Sequence, residues 1–194
     1  MTEMPTPERI RGRFTLIVGE VNSGKTTLTR HLLHSAALSE PGPLVVVDLA
    51  PQIPPDLVRR AGRPGIGGRI QAPSAPHVHV LSAELHAPRL TGRNDEEKAA
   101  LARENARRIE PLFLEALDLN PTHLFVNDVS LYLQAGSPLR LLDWLFRVET
   151  RVVNGYFGTS LGEDPLSKRE RLAMWALMVH CDHLIFLEKH SKEG

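Results

Sequence analysis

The sequence predicts a single α/β domain with a mainly parallel central sheet covered by helices on both faces. Two observations carry this. Short, almost wholly apolar runs recur along the chain, and amphipathic stretches of helical period separate them. Of the 194 residues, 42% are hydrophobic and 24% charged, which suits one soluble domain with a sizeable core.

The strands are expected at "RFTLIV" (13–18), "LVVVDL" (44–49), "HVHVLS" (77–82), "THLFVND" (122–128) and "HLIFLE" (183–188), with "RVVNGYF" (151–157) a weaker sixth. Strands of four to six mostly apolar residues, separated by helices, are what a parallel sheet covered on both faces requires. Helices are expected over 25–38, 95–118, 138–149 and 165–180. Asn94 is placed to cap the second, and Asp95, Glu96 and Glu97 favour the positive end of its dipole. Pro111 should kink or divide that helix near Ile109. Residues 1–12 read as a polar lead-in to a domain spanning 13–194. The Pro- and Gly-rich stretch 51–76 reads as a long loop containing at most a short helix. Right-handed crossovers would bring the loops after the strands to one edge of the sheet, where ligands bind.

"GEVNSGKTT" (19–27) lies between the first strand and the first long helix. Gly19 and Gly24 permit tight backbone turns, so the N–H groups of Glu20, Val21, Asn22, Ser23 and Gly24 can converge on an anion. The following helix adds its positive end. Lys25 reaches the outer phosphates, Thr26 offers a hydroxyl to Mg2+, and Thr27 continues the cradle. This is the G-x-x-x-x-G-K-[ST] phosphate loop in its strand–loop–helix setting, which makes the expected architecture a three-layer P-loop NTPase fold. Such a site needs a carboxylate at an adjacent strand end. Asp48 and Asp128 both follow four strand residues, and both are candidates for the metal or the nucleophile.

"LIVGEVNSGKTTLTRHLL" followed by "VVVDLAPQIPP" resembles the first βαβ unit of a group of P-loop proteins. The group contains the partitioning ATPases, the nickel-insertion GTPases and the polynucleotide 5′-hydroxyl kinases. The resemblance spans about residues 13–55. It implies a role near the metal or attacking group for Asp48. Where the group often has a second acid, this chain has Ala50, and where the partitioning ATPases carry an extra lysine it has Glu20 and Val21. The guanine-reading N-K-x-D pattern is broken after the last strand, where Glu188 and Ser191 flank Lys189. ATP is therefore expected before GTP.

Arg89 and Arg93, in "HAPRLTGRNDEE" (86–97), are candidates for a lid over the phosphates; pairing with Asp95 and Glu96 is the plainer alternative. The Gly-containing stretch 153–172, with Lys168, Arg169 and Arg171, offers a second switch or substrate loop. His77 with His79, and His180 with Cys181 and His183, would hold a transition metal only if a further ligand approached. A formal net charge of zero, two Trp and two Tyr disfavour a nucleic-acid groove. The lone Cys181 forms no internal disulfide, no apolar run reaches membrane-spanning length, and the N-terminal stretch lacks a signal-peptide core. A cytoplasmic protein is expected. Three functions fit: an ATPase switch acting on a partner protein, a kinase for a nucleic-acid 5′-hydroxyl or a small molecule, and a nucleotide-binding regulatory module without turnover.

Overall fold

A computed structural model of the chain describes residues 5–51, 53 and 68–188. Six strands form one parallel sheet: β1 (Phe14–Gly19), β2 (Leu44–Asp48), β3 (Val78–Ser82), β4 (His123–Asn127), β5 (Thr150–Tyr156) and β6 (His183–Leu187). Their spatial order is β3-β2-β4-β5-β1-β6, with every neighbouring pair parallel. The four inner strands are buried throughout, whereas the edge strands β3 and β6 alternate between exposed and half-buried residues.

The helices are α1 (Pro7–Ile10), α2 (Lys25–Ser39), α3 (Pro88–Thr91), α4 (Asp95–Asp118), α5 (Ser130–Leu133), α6 (Pro138–Leu145) and α7 (Pro165–Met178). Strand alternation divides the core. Phe14, Leu16, Val18, Val126 and Val153 share one cluster with Ile109 and Phe113 of α4, Trp144 of α6 and Met174 of α7. Ile17, Val46, Phe125 and Val152 face the other way, onto Leu28, Leu32 and Leu33 of α2 and Ile10 of α1. This is the expected three-layer arrangement, and the second face is the more thinly covered.

Four expectations need revision. Residues Thr150–Tyr156 are no marginal strand; they lie between β4 and β1 at the centre of the sheet. Asn154 and Gly155 obscure this in the sequence. Gly155 is closely covered: a Cβ there would lie 2.5 Å from Met174 Cε and 2.9 Å from Val129 Cγ1, so both side chains would have to shift. Helix α4 runs unbroken through Pro111. Pro111 and Arg107, whose carbonyl loses its helical partner, are both on the exposed side, where water can satisfy that oxygen. The lead-in is not merely polar: α1 sends Ile10 into the core with no exposure. Helices α6 and α7 stop at Leu145 and Met178, short of the expected ends. Most of the stretch 51–76, and the residues after Glu188, lie outside the described residues. Among the described residues, no helix is long and apolar enough to cross a membrane.

Candidate nucleotide site

The phosphate loop joins β1 to α2, and two glycines shape it. A Cβ at Gly19 would lie 2.2 Å from the Leu187 carbonyl oxygen, so β6 can pass close only because that atom is missing. Gly24 has φ 91° immediately before the first turn of α2, a conformation that other residues adopt at a cost. The Lys25 ammonium lies along the loop and donates to the carbonyls of Gly19 (3.0 Å) and Glu20 (2.5 Å). Burial pulls its pKa down, against the opposing charges of Asp128 and Glu20. Glu20 points away from the cradle: its carboxylate accepts from the N–H of Thr159 (2.8 Å), from the N–H of Ser160 (3.2 Å) and from the Ser160 hydroxyl. It ties the loop to the segment after β5.

The strands flanking β1 are β5 and β6, so neither acid sits on an adjacent strand as the sequence led us to expect. β4 is two strands away and β2 three. Asp48 pairs in register with Asn127, and Asn154 lies one step beyond the Val126–Val153 pair. Asp48, Asn127 and Asn154 thus form one polar rung across the carboxyl edge of the sheet, each almost fully buried.

The rung is closely hydrogen-bonded. The Thr26 hydroxyl donates to Asn127 Oδ1 (3.1 Å), and Asn127 Nδ2 donates to Asp48 Oδ1 (2.7 Å) and the Gly68 carbonyl (3.1 Å). Asp48 also accepts from the N–H of Ala50 (3.2 Å) and Ile70 (3.1 Å). Asn154 Nδ2 donates to Asn127 Oδ1 (2.9 Å) and Thr29 Oγ1 (2.8 Å), while its Oδ1 accepts the Asp128 N–H (2.9 Å).

Asp128 follows β4 at φ 59°, an uncommon backbone conformation held by that Asn154 contact. Ser130 Oγ donates to its carboxylate at 2.5 Å. Burial pushes its pKa up; Lys25 and Arg89 oppose the shift and Asp48 adds to it. Asp128 lines a cleft of about 360 Å³ together with the phosphate loop, including Lys25, Thr26 and Thr27. Asp48 does not line it. Of the two acids expected at the metal, the structure brings Asp128 to the cleft and puts Asp48 behind Asn127, occupied by three N–H donors.

Arg89 also lines the cleft but is held in its wall, with Nη2 3.0 Å from Glu170 and Nε 3.3 Å from Ser167 Oγ. Arg93 is not brought in. Its side chain is 86% exposed and, from just ahead of the Asn94 cap, pairs with Glu97 in the first turn of α4. Among the described residues, no three His, Cys, Asp or Glu side chains converge to hold a metal. His183 meets Arg13, His180 meets the Ala176 carbonyl, and Cys181 meets the Met178 carbonyl.

Sequence reasoning missed Asn127, Asn154, Ser130, Gln134 and Glu170. Asn127 beside Asp128, and Asn154 within an apolar run, were the available signals. An uncharged amide in a buried strand implies a local hydrogen-bond partner.

No protein-family model matches the chain, and no curated protein matches it. Among solved structures, the chain is similar to a KaiC-like protein, PH0186, from the hyperthermophilic archaeon Pyrococcus horikoshii OT3. The TM-score is 0.51 and the identity 14%, covering 94% of this chain and 74% of that one. This likeness speaks to the fold, and it joins the phosphate loop seated between β1 and α2 of an all-parallel sheet. The chain has a P-loop NTPase fold. A P-loop fold is a nucleotide-binding scaffold, and here its loop, Thr26 and Asp128 share one cleft.

Proposed function

We propose that the chain is a magnesium-dependent ATPase working in the cytoplasm, with nucleotide turnover governing engagement of a partner protein. The observation that carries this reading is Asp128: a half-buried carboxylate, fixed by Ser130 and Asn154, facing the same cleft as Lys25 and Thr26. The donor set fits magnesium, a hard cation that takes oxygen ligands and keeps several waters. Thr26 would supply its hydroxyl oxygen, whose lone pairs remain available while its O–H donates to Asn127 Oδ1. Asp128 would hold a water of the ion's shell. Bound magnesium would offset phosphate charge and polarise the phosphoryl oxygens.

The chain's own residues do the rest. The backbone N–H groups of 20–25 and the start of α2 cradle the phosphates. Lys25 moves from the loop carbonyls to the outer phosphate oxygens. Asp128 orients the nucleophile and accepts its proton, a task aided by a carboxylate pKa above the ordinary range. Asp48 acts indirectly, by holding Asn127 and the backbone at Ile70.

One specific observation favours a second reading, transfer to an alcohol: the cleft continues past Asp128 between α3 and the segment after β5. The test follows γ-labelled ATP and GTP with magnesium, comparing the wild type with Lys25→Ala. Label released from ATP as free phosphate, and lost in the variant, supports the ATPase. Nucleotide bound without movement of label would overturn both catalytic readings in favour of a regulatory module.

A further inference from the structure

The inner half of the cleft contains a built polar wall that hydrolysis does not use. Glu170, on the buried side of α7, is only 1% exposed, and its Oε2 accepts from Arg89 Nη2 (3.0 Å) and Gln134 Nε2 (2.9 Å). These contacts fix the orientation of the Gln134 amide. Gln134 is 4% exposed and lines the cleft, yet its Oε1 is buried without a hydrogen-bond partner. Such an acceptor is costly to leave unmatched, and a ligand N–H or O–H would satisfy it.

The neighbouring chemistry narrows the ligand. Two acceptors are offered, Gln134 Oε1 and the Asp128 carboxylate, and the Arg89 charge is already matched by Glu170. Burial, with the nearby Asp128 charge adding to it, pushes Glu170 up to about 7. Among the described residues, an anion entering here would meet two acids and no free cation on this wall. Leu90, Leu131 and Leu161 complete the lining with apolar surface. A cleft of about 360 Å³, shared with the phosphates, suits a ligand of sugar or nucleoside size.

We propose that the inner half of the cleft is an acceptor subsite for a small uncharged polyhydroxy compound, with one hydroxyl against Asp128 and another donating to Gln134 Oε1. This deepens the second reading above and rests on the nucleotide occupying the phosphate loop. Asp128 accepts the proton of the first hydroxyl as its oxygen bonds to the γ-phosphorus. The bond between that phosphorus and the β,γ-bridging oxygen breaks, and its electron pair leaves on the nucleoside diphosphate. The products are a phosphate monoester, the diphosphate and one proton.

The test uses saturation-transfer NMR with ribose, myo-inositol and uridine, each with and without magnesium and the non-hydrolysable analogue AMP-PCP. Wild type is compared with Gln134→Leu and with Leu161→Trp, which fills the cleft from a half-buried loop position without disturbing Glu170. Circular dichroism checks that each variant is folded. We expect at least one probe to bind the analogue-loaded wild type, with about tenfold weaker binding in Gln134→Leu from the lost hydrogen bond. Leu161→Trp should abolish it. With γ-labelled ATP, label should move to that probe. If AMP-PCP binds while all three probes fail, the subsite is wrong and the nucleotide reading stands. Probe binding equal in all three proteins would also overturn the subsite. If AMP-PCP fails while a probe binds in a Gln134-dependent way, the nucleotide reading falls and the pocket survives as a polyol site, but not as an acceptor subsite.

Discussion

Strands β2 and β4 end alike in sequence, four strand residues followed by an acid, yet Asp48 and Asp128 meet different surroundings. Asp48 is the last residue of its strand, 2% exposed, and three N–H donors hold its oxygens. Asp128 lies one residue beyond β4, turns to φ 59° and enters the cleft with one hydroxyl donating to it. The single-residue offset makes the difference. Asn127 occupies the rung position beside Asp48, and Asp128 is lifted out of the sheet. A carboxylate saturated with donors holds backbone in place; one with an open oxygen can take a proton.

The largest expected effect comes from removing the open carboxylate. Asp128→Asn should reduce single-turnover phosphate release by about 10²–10⁴-fold, the usual worth of a general base. Its melting temperature should stay near that of the wild type, and equal losses of stability and rate would break the contrast. Asp48→Ala should do the opposite. Leaving buried donors at Ala50, Ile70 and Asn127 unmatched should cost about 2–4 kcal/mol in chemical denaturation. The rate per folded molecule should fall by less than about tenfold, because Asp48 acts only through Asn127.

Asn127→Asp sharpens the comparison by facing one acid with another where a 2.7 Å hydrogen bond stood. The pair should share a proton, so one folded-state pKa rises above its unfolded value. The variant should therefore be least stable at neutral pH and regain stability relative to the wild type as pH falls through that raised pKa. Melting curves from pH 4 to 8 measure it, and a pH-independent difference would argue against two facing carboxyls.

Glu170→Gln should have the smallest effect. Burial raises Glu170 to about 7 from an ordinary 4.5, so the folded protein binds the extra proton between those values. Its contribution to stability is full below about 4.5 and is lost as pH rises through about 7. The variant should flatten that part of the stability curve.

Much of the fold was legible because its local signals agree. The runs 14–18 and 44–48 are apolar enough to be buried on both faces, and Asn94 accepts the Glu97 N–H (2.9 Å) as a helix cap should. β5 was harder to read because Asn154 and Gly155 interrupt its apolar pattern. Their reasons lie in Thr29, Asn127, Val129 and Met174, remote in the chain. Arg89 and Arg93 look interchangeable in the sequence; α7 supplies Glu170 to one, and a neighbouring helical turn supplies Glu97 to the other.

The sequence by itself determined the phosphate loop, since a strand, two spaced glycines, Lys25 and Thr26 follow one another within a single short stretch, 14–26, and need only local geometry. The tertiary structure decided which acid joins them. Strand order and register are set by side chains packing across the sheet, and a one-residue offset at β4 sends Asp128 to the cleft while leaving Asp48 within the rung. The Arg89–Glu170–Gln134 wall was likewise invisible, because its members come from three separated segments and meet only when α7 covers the sheet.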